Sequence, residues 1–161
     1  KAVELSEKSY RQRLETLGEN HPDTILSLSN LSVYMHEIGN SKKAVELGEK
    51  AYKQKCDILG ENHPDTLIAL NNLASFYNSC GETAKALDTI EKVYNLRCKI
   101  SGESHPGTLT SLSNYSLYSY TNGKNEQALA LGEKALALSI EIFGENHDDK
   151  TIEILSNFMN Y

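Results

Sequence analysis

Histidine is the side chain best suited to proton or metal chemistry near neutral pH, and four of the five in this 161-residue chain recur at one interval. His21, His63, His105 and His147 lie 42 residues apart. Zinc would need their nitrogens about 2 Å from one centre, yet equivalent residues of stacked helical repeats are at least about 8 to 10 Å apart. The four therefore do not converge, and packing a loop or capping a helix is their expected role. His36 stands outside the series and has no acid, base or nucleophile at a recognisable spacing. Cys56 and Cys98 share a phase with Leu14 and Ile140 and read as small buried apolar residues; Cys80 shares one with Ile38 and Asn122 and reads likewise. Three cysteines without dense spacing make no disulfide framework and suit a reducing compartment, so a cytoplasmic location is expected. No catalytic constellation is present, and neither enzyme activity nor a cofactor or metal is expected.

A second set of side chains points to recognition. Asn30, Asn72 and Asn114 share one phase of the 42-residue interval. Asn157 joins them once the extra residue in His147-Asp148-Asp149-Lys150-Thr151, relative to His63-Pro64-Asp65-Thr66, is counted. Asn is mildly unfavourable inside a helix, so its repeated use needs a reason. Its amide offers a donor and an acceptor that match the peptide unit of an extended chain. Bracing a neighbouring helix by capping a backbone group is an equally open reading, and both can hold at once. Residues about one turn away would share the same wall: Ser29, Val33, His36 and Glu37; Asn71, Ser75, Asn78 and Ser79; Ser113, Leu117, Tyr120 and Thr121. For any one of these taken alone, plain solvation is the default.

The elements that must hold these residues follow from the repeat. Gly-Glu-Asn-His-Pro-Asp stands at 18 to 23 and 60 to 65, Gly-Glu-Ser-His-Pro-Gly at 102 to 107 and Gly-Glu-Asn-His-Asp-Asp at 144 to 149. A second Gly recurs at 39, 81 and 123. Such self-similarity decides architecture before any single residue does. Pro22, favoured at a first helical position, opens a helix with Leu28, Leu31, Met35 and Ile38 at helical spacing, closed by Gly39. We name this the A-type helix. Ser41 is expected to cap a second, B-type helix with one stripe of Ala44, Leu47, Ala51 and Leu59 and another of Val45, Tyr52 and Cys56, ending at Gly60. Two stripes mean contact on two sides. Nothing alternates with period two, so the fold class is all-α.

The expected layout is a B-type helix over 1–17, helix pairs over 22–59, 64–101 and 106–143, and a lone A-type helix from about 149 to 161, together a single repeat array. Starting at Lys1 and in mid-repeat, the chain is expected to be a piece of something longer. The final helix lacks its Pro and should fray. Small residues fall where helices must approach closely: Ser32, Gly39, Ala44 and Ala51, then Ala74, Gly81 and Ala86, then Ser116, Gly123, Ala128 and Ala135.

On these residues the chain resembles the tetratricopeptide repeat, in the 42-residue variety of kinesin light chains and nephrocystin-like proteins. The carriers are Leu-Asn-Asn-Leu-Ala at 70 to 74, Gly81 with Ala86, and Leu-Gly-Glu-Asn-His-Pro-Asp-Thr at 59 to 66. The resemblance implies a right-handed α-solenoid of antiparallel helix pairs, a concave wall of A-type helices, and binding of peptide segments of other proteins. It also implies that Asn30, Asn72 and Asn114 contact the backbone of such a peptide.

Charge refines the expected partner. The 16 Lys plus Arg against 22 Asp plus Glu give a net charge of −6, which offers no field for nucleic acid or anionic lipid, and no apolar run approaches the ~20 residues of a membrane span. No Lys or Arg lies between His21 and Ser41, His63 and Glu82, or His105 and Gly123. The relatives that hold acidic peptides use basic groove residues, so this chain departs from them, and a neutral polar or apolar segment is expected instead. Glu-Lys recurs at 7–8, 49–50, 91–92 and 133–134. Adjacent residues do not face each other on a helix, so a solvated outer face is expected there. Two other roles stay open: the ligand-sensing arm of a larger signalling protein, and end-to-end self-association through apolar helix faces exposed at the array ends.

Overall fold

The computed structural model describes residues 2–143. His147, Lys150, Asn157 and the expected last A-type helix lie outside the described residues. Seven helices follow one another among the described residues: α1 (Ala2–Leu17), α2 (Pro22–Glu37), α3 (Ser41–Leu59), α4 (Pro64–Ser79), α5 (Thr83–Ser101), α6 (Pro106–Thr121) and α7 (Asn125–Phe143). The A-type helices are α2, α4 and α6.

Each A-type helix starts the same way. A proline occupies the first helical position, where its missing N–H costs nothing. The histidine before it is extended, and its Nδ1 accepts the backbone N–H two residues on: Asp23 to His21 at 3.2 Å, Asp65 to His63 at 3.1 Å and Gly107 to His105 at 3.0 Å. His21, His63 and His105 are thus helix N-caps, in a role more often filled by Ser, Thr, Asp or Asn.

The A-type helices also end alike. Gly39 has φ +80, its N–H donates to His36 O and that of Asn40 to Met35 O, both at 2.9 Å, the paired bonds of a Schellman cap. Asn40 then serves the next helix: its side chain accepts the N–H of Lys43 at 3.3 Å. Ser41, expected as that cap, is instead the first helical residue, because a junction of only Gly39 and Asn40 makes Asn40 both the end of one cap and the start of the other.

By packing, the chain forms two compact units, residues 1–82 and 83–161. In the first, α1 packs on α2, α2 on α3 and α3 on α4, and α2 also touches α4. Leu28, Leu31, Met35, Ala44, Leu47, Ala51, Leu67, Leu70, Leu73, Ala74 and Phe76 are buried there. Contact is close at Gly48 of α3, where a Cβ would stand 3.0 Å from Cδ2 of Phe76. In the second, α6 packs on both α5 and α7 around Ile90, Val93, Leu109, Leu112, Tyr115, Ala128 and Ala135.

A basic residue of each of α1, α3 and α5 holds the first turn of the A-type helix that follows it. Arg13 donates to Asp23 O at 3.2 Å, Lys55 to Asp65 O at 3.3 Å, and Arg97 to Gly107 O and, at 2.7 Å, to Ser111 Oγ. Cys56, Cys80 and Cys98 are half-buried free thiols rather than core residues. Phase equivalence with Leu14 and Ile140 overstated their depth, since Leu14 is itself half-buried and Ile140 exposed.

Candidate polypeptide-binding face

The Asn positions on A-type helices divide in their environment. Asn30 on α2 is exposed and Asn72 on α4 is half-buried. Among the described residues neither amide makes a hydrogen bond to another group. Asn114 on α6 is half-buried and engaged with the protein, as are Asn71 and Asn78. Asn30 and Asn72 belong to adjacent A-type helices of one compact unit; Asn114, with Ser113, Leu117 and Tyr120, belongs to the other.

The neighbouring side chains show what an engaged residue looks like. Ser29 Oγ turns back to Ile25 O at 3.0 Å, and Ser113 Oγ to Leu109 O at 3.1 Å. Thr121 Oγ1 reaches Tyr118 O at 3.1 Å. His36 Nε2 lies 2.8 Å from Ser79 Oγ, and its ring centroid 5.0 Å from that of Phe76. His36 and Ser79, both expected on the wall, therefore tie α2 to α4. Val33, Ser75 and Leu117 are half-buried, while Glu37 and Tyr120 are exposed.

Helical spacing explains the difference between the two free amides. The stripe of α2 that includes Val33 and His36 meets the stripe of α4 that includes Phe76 and Ser79, and Asn72 lies one turn before Phe76 on the latter. Asn30 occupies the corresponding stripe of α2, on the side away from α4. There it lines a depression of about 400 Å³ between α1 and α2, with Leu5, Ser6, Ser9, Arg13, Ser27 and Tyr34. Arg13 brings a cation to its border from a B-type helix, but the guanidinium is bound to Asp23 O and Ser27 Oγ.

Apart from half-buried Glu7, the Glu-Lys dipeptides are exposed, yet they also clasp their surroundings. Lys50 meets Glu19 of the preceding loop at 2.8 Å, and Lys134 meets Glu103 at 2.8 Å while donating to Tyr94 OH at 3.0 Å. The glutamates work in the other direction, with Tyr77 OH donating to Glu49 at 2.6 Å. The bond to Lys50 holds the Glu19 carboxyl below its usual range. Burial, followed by the Glu49 bond, pushes Tyr77 up, and burial with Glu91 pushes Tyr115 up to about 12. Sequence reasoning compared Glu with its adjacent Lys; the informative signal was Tyr10, Tyr52 and Tyr94, Lys50, Lys92 and Lys134, and Glu19, Glu61 and Glu103, each set recurring at the 42-residue interval on a different element.

Among the described residues no three His, Cys, Asp or Glu side chains converge as metal ligands, and no helix is long and apolar enough to cross a membrane. The arrangement is a paired-helix surface with free amides and small polar groups.

The sequence profile of the tetratricopeptide repeat matches residues 1–57 and 65–141, more than half of the chain. The chain belongs to the tetratricopeptide repeat family. Solved structures place its repeats with those of kinesin-light-chain type. A point variant of a Podosopora anserina protein, assigned as a kinesin light chain with nearly identical TPR-like repeats, is 28% identical with a TM-score of 0.78, over 87% of this chain and 66% of that one. A second structure of such Podosopora anserina repeats is 24% identical with a TM-score of 0.81, over 99% and 78%. BtubC (BKLC) from P. vanneervenii is 20% identical with a TM-score of 0.83, over 99% and 63%, and supports the fold alone. The chain thus spans between 63% and 78% of the length of these three. None of the curated protein sequences matches it. The fold is an all-α tetratricopeptide solenoid, and repeats of this family typically mediate protein–protein interaction.

Proposed function

We propose that this chain is a non-catalytic, cytoplasmic interaction scaffold that grips an extended segment of a partner protein through the amides of Asn30 and Asn72. One observation carries the reading. Both amides sit inside helices, where Asn is unfavourable, and neither is spent on the protein, while Ser29, Ser113, His36 and Ser79 all are. A polypeptide backbone supplies the alternating donor and acceptor that such amides lack. Ser6, Ser9, Tyr34 and Leu5 around Asn30 add apolar and hydroxyl contact of the kind a neutral segment uses. The A-type helices carry no Lys or Arg within the described range, and Arg13 is already committed, so an acidic ligand finds no free cation there.

The test is selection from a random peptide library on the whole chain, repeated with Asn30→Ala and Asn72→Ala combined. Enrichment of neutral sequences that is lost in the double variant at unchanged helicity is expected. Enrichment that persists in the double variant refutes the amide grip. Enrichment of acidic peptides whose affinity collapses with added salt refutes the neutral ligand.

A further inference from the structure

Away from the free amides, at the end of the first compact unit where A-type helices begin and a B-type helix ends, a depression of about 230 Å³ lies between α2, α3 and α4. Leu26 of α2 and Ile58 and Leu59 of α3 wall it and are 50%, 44% and 42% exposed. Single exposed apolar residues are ordinary, but three turned toward one hollow are the mark of a contact surface. Asp23 and Asp65, one from the first turn of each A-type helix, stand at the rim. Lys55 between them is half-buried with its amine on the Asp65 backbone carbonyl, and Asp23 Oδ2 lies 3.9 Å from His21 Nδ1, so the one Lys of the lining is already engaged and the rim keeps a surplus of carboxylate.

We propose that this hollow is a second binding site, taking one Leu- or Ile-sized side chain of a partner polypeptide whose adjacent residue is Lys or Arg. The volume decides against a whole helix, whose diameter with side chains is about 10 to 12 Å. The rim decides the flanking residue, because the surplus carboxylate in a chain of net charge −6 attracts a cation and repels both an acidic peptide and an anionic lipid surface. This site does not depend on the amide grip. Leu26 lies one turn before Asn30 on α2, yet none of the residues named here also borders the depression around Asn30.

The experiment is methyl NMR of the whole chain titrated with the capped peptide Gly-Ser-Gly-Leu-Lys-Gly-Ser. Two controls replace its Leu by Ser or its Lys by Glu. Saturable shifts at Leu26, Ile58 and Leu59 are expected with the Leu-Lys peptide, about fivefold weaker for the Glu control and absent for the Ser control. Ile58→Asn should abolish them and Asp23→Asn weaken them. The walls are exposed, so helicity should be unchanged by circular dichroism. Asn30→Ala with Asn72→Ala should leave the response intact, which separates this site from the amide face. No saturable shift at millimolar peptide, or equal binding of the Glu control, overturns the proposal. So do wall shifts that follow protein concentration without peptide, which would make the occupant a second copy, and shifts produced only by anionic vesicles.

Discussion

A histidine that receives the N–H of the second helical residue organises the opening turn of each described A-type helix, and the sequence shows why His63 can: it is extended and followed by Pro64. His63→Ala is expected to cost about 1 kcal/mol, as for other lost caps, with His63→Asp recovering most of it in urea titrations. The two free amides predict the opposite sign. Asn30→Ala and Asn72→Ala remove no protein hydrogen bond and replace a poor helix former with the best one, so each should raise stability by a few tenths of a kcal/mol. Losses of about 1 kcal/mol or more would show the amides to be braces. The phase of these Asn residues was legible from the repeat alone. Their engagement was not, because whether an amide is spent depends on neighbours from another helix: the same period that marked Asn30 and Asn72 also marked Asn114, which the protein uses.

At the scale of helices, the punctuation did most of the work. Pro22, Pro64 and Pro106 can only begin helices cheaply, and Gly39 and Gly81 end them in a conformation other residues resist, so the elements were readable without reference to packing. What stayed hidden were the links between helices. His36 looked like a lone wall residue and instead bridges to Ser79, 43 positions away, a distance that no helical spacing relates. The fit of α3 on α4 yields a sharp test. Gly48→Ala gains up to about 1 kcal/mol of helix propensity, but its methyl meets the Phe76 ring at 3.0 and 3.1 Å and Leu73 Cδ1 at 3.3 Å. Overpacking costs of about 1 to 3 kcal/mol should win. Combining it with Phe76→Leu should show favourable coupling in a double-mutant cycle, and simple additivity would mean the ring moves aside freely.

Across the whole molecule, the clasps between successive helices respond to alkali together. Burial and bonds to glutamate raise Tyr77 and Tyr115, burial raises Tyr94, and the bonds to Glu103 and Tyr94 raise Lys134. In the unfolded chain these groups lose protons from about pH 10 to 10.5. Above that range the unfolded chain holds fewer protons than the folded one, so stability falls as pH climbs toward about 12 and has no slope from these groups below about pH 9. Lys55, lowered by burial, acts in the opposite sense but is outnumbered by the raised groups, which also include Tyr52 and Lys50. Urea midpoints compared at about pH 8.5 and 11.5 decide the matter, and equal midpoints would refute it. The joints themselves obey a different rule. Gly39 and Gly81 have φ of +80 and +83, and a side chain built on either would meet nothing within 4 Å. Room is therefore not the constraint at these corners; handedness is. L-alanine should strain them in spite of the empty space, whereas D-alanine installed by chemical ligation should settle there and stiffen the unfolded chain. Each bend would then be a place where mirror-image chemistry hardens the protein without touching a single packed atom.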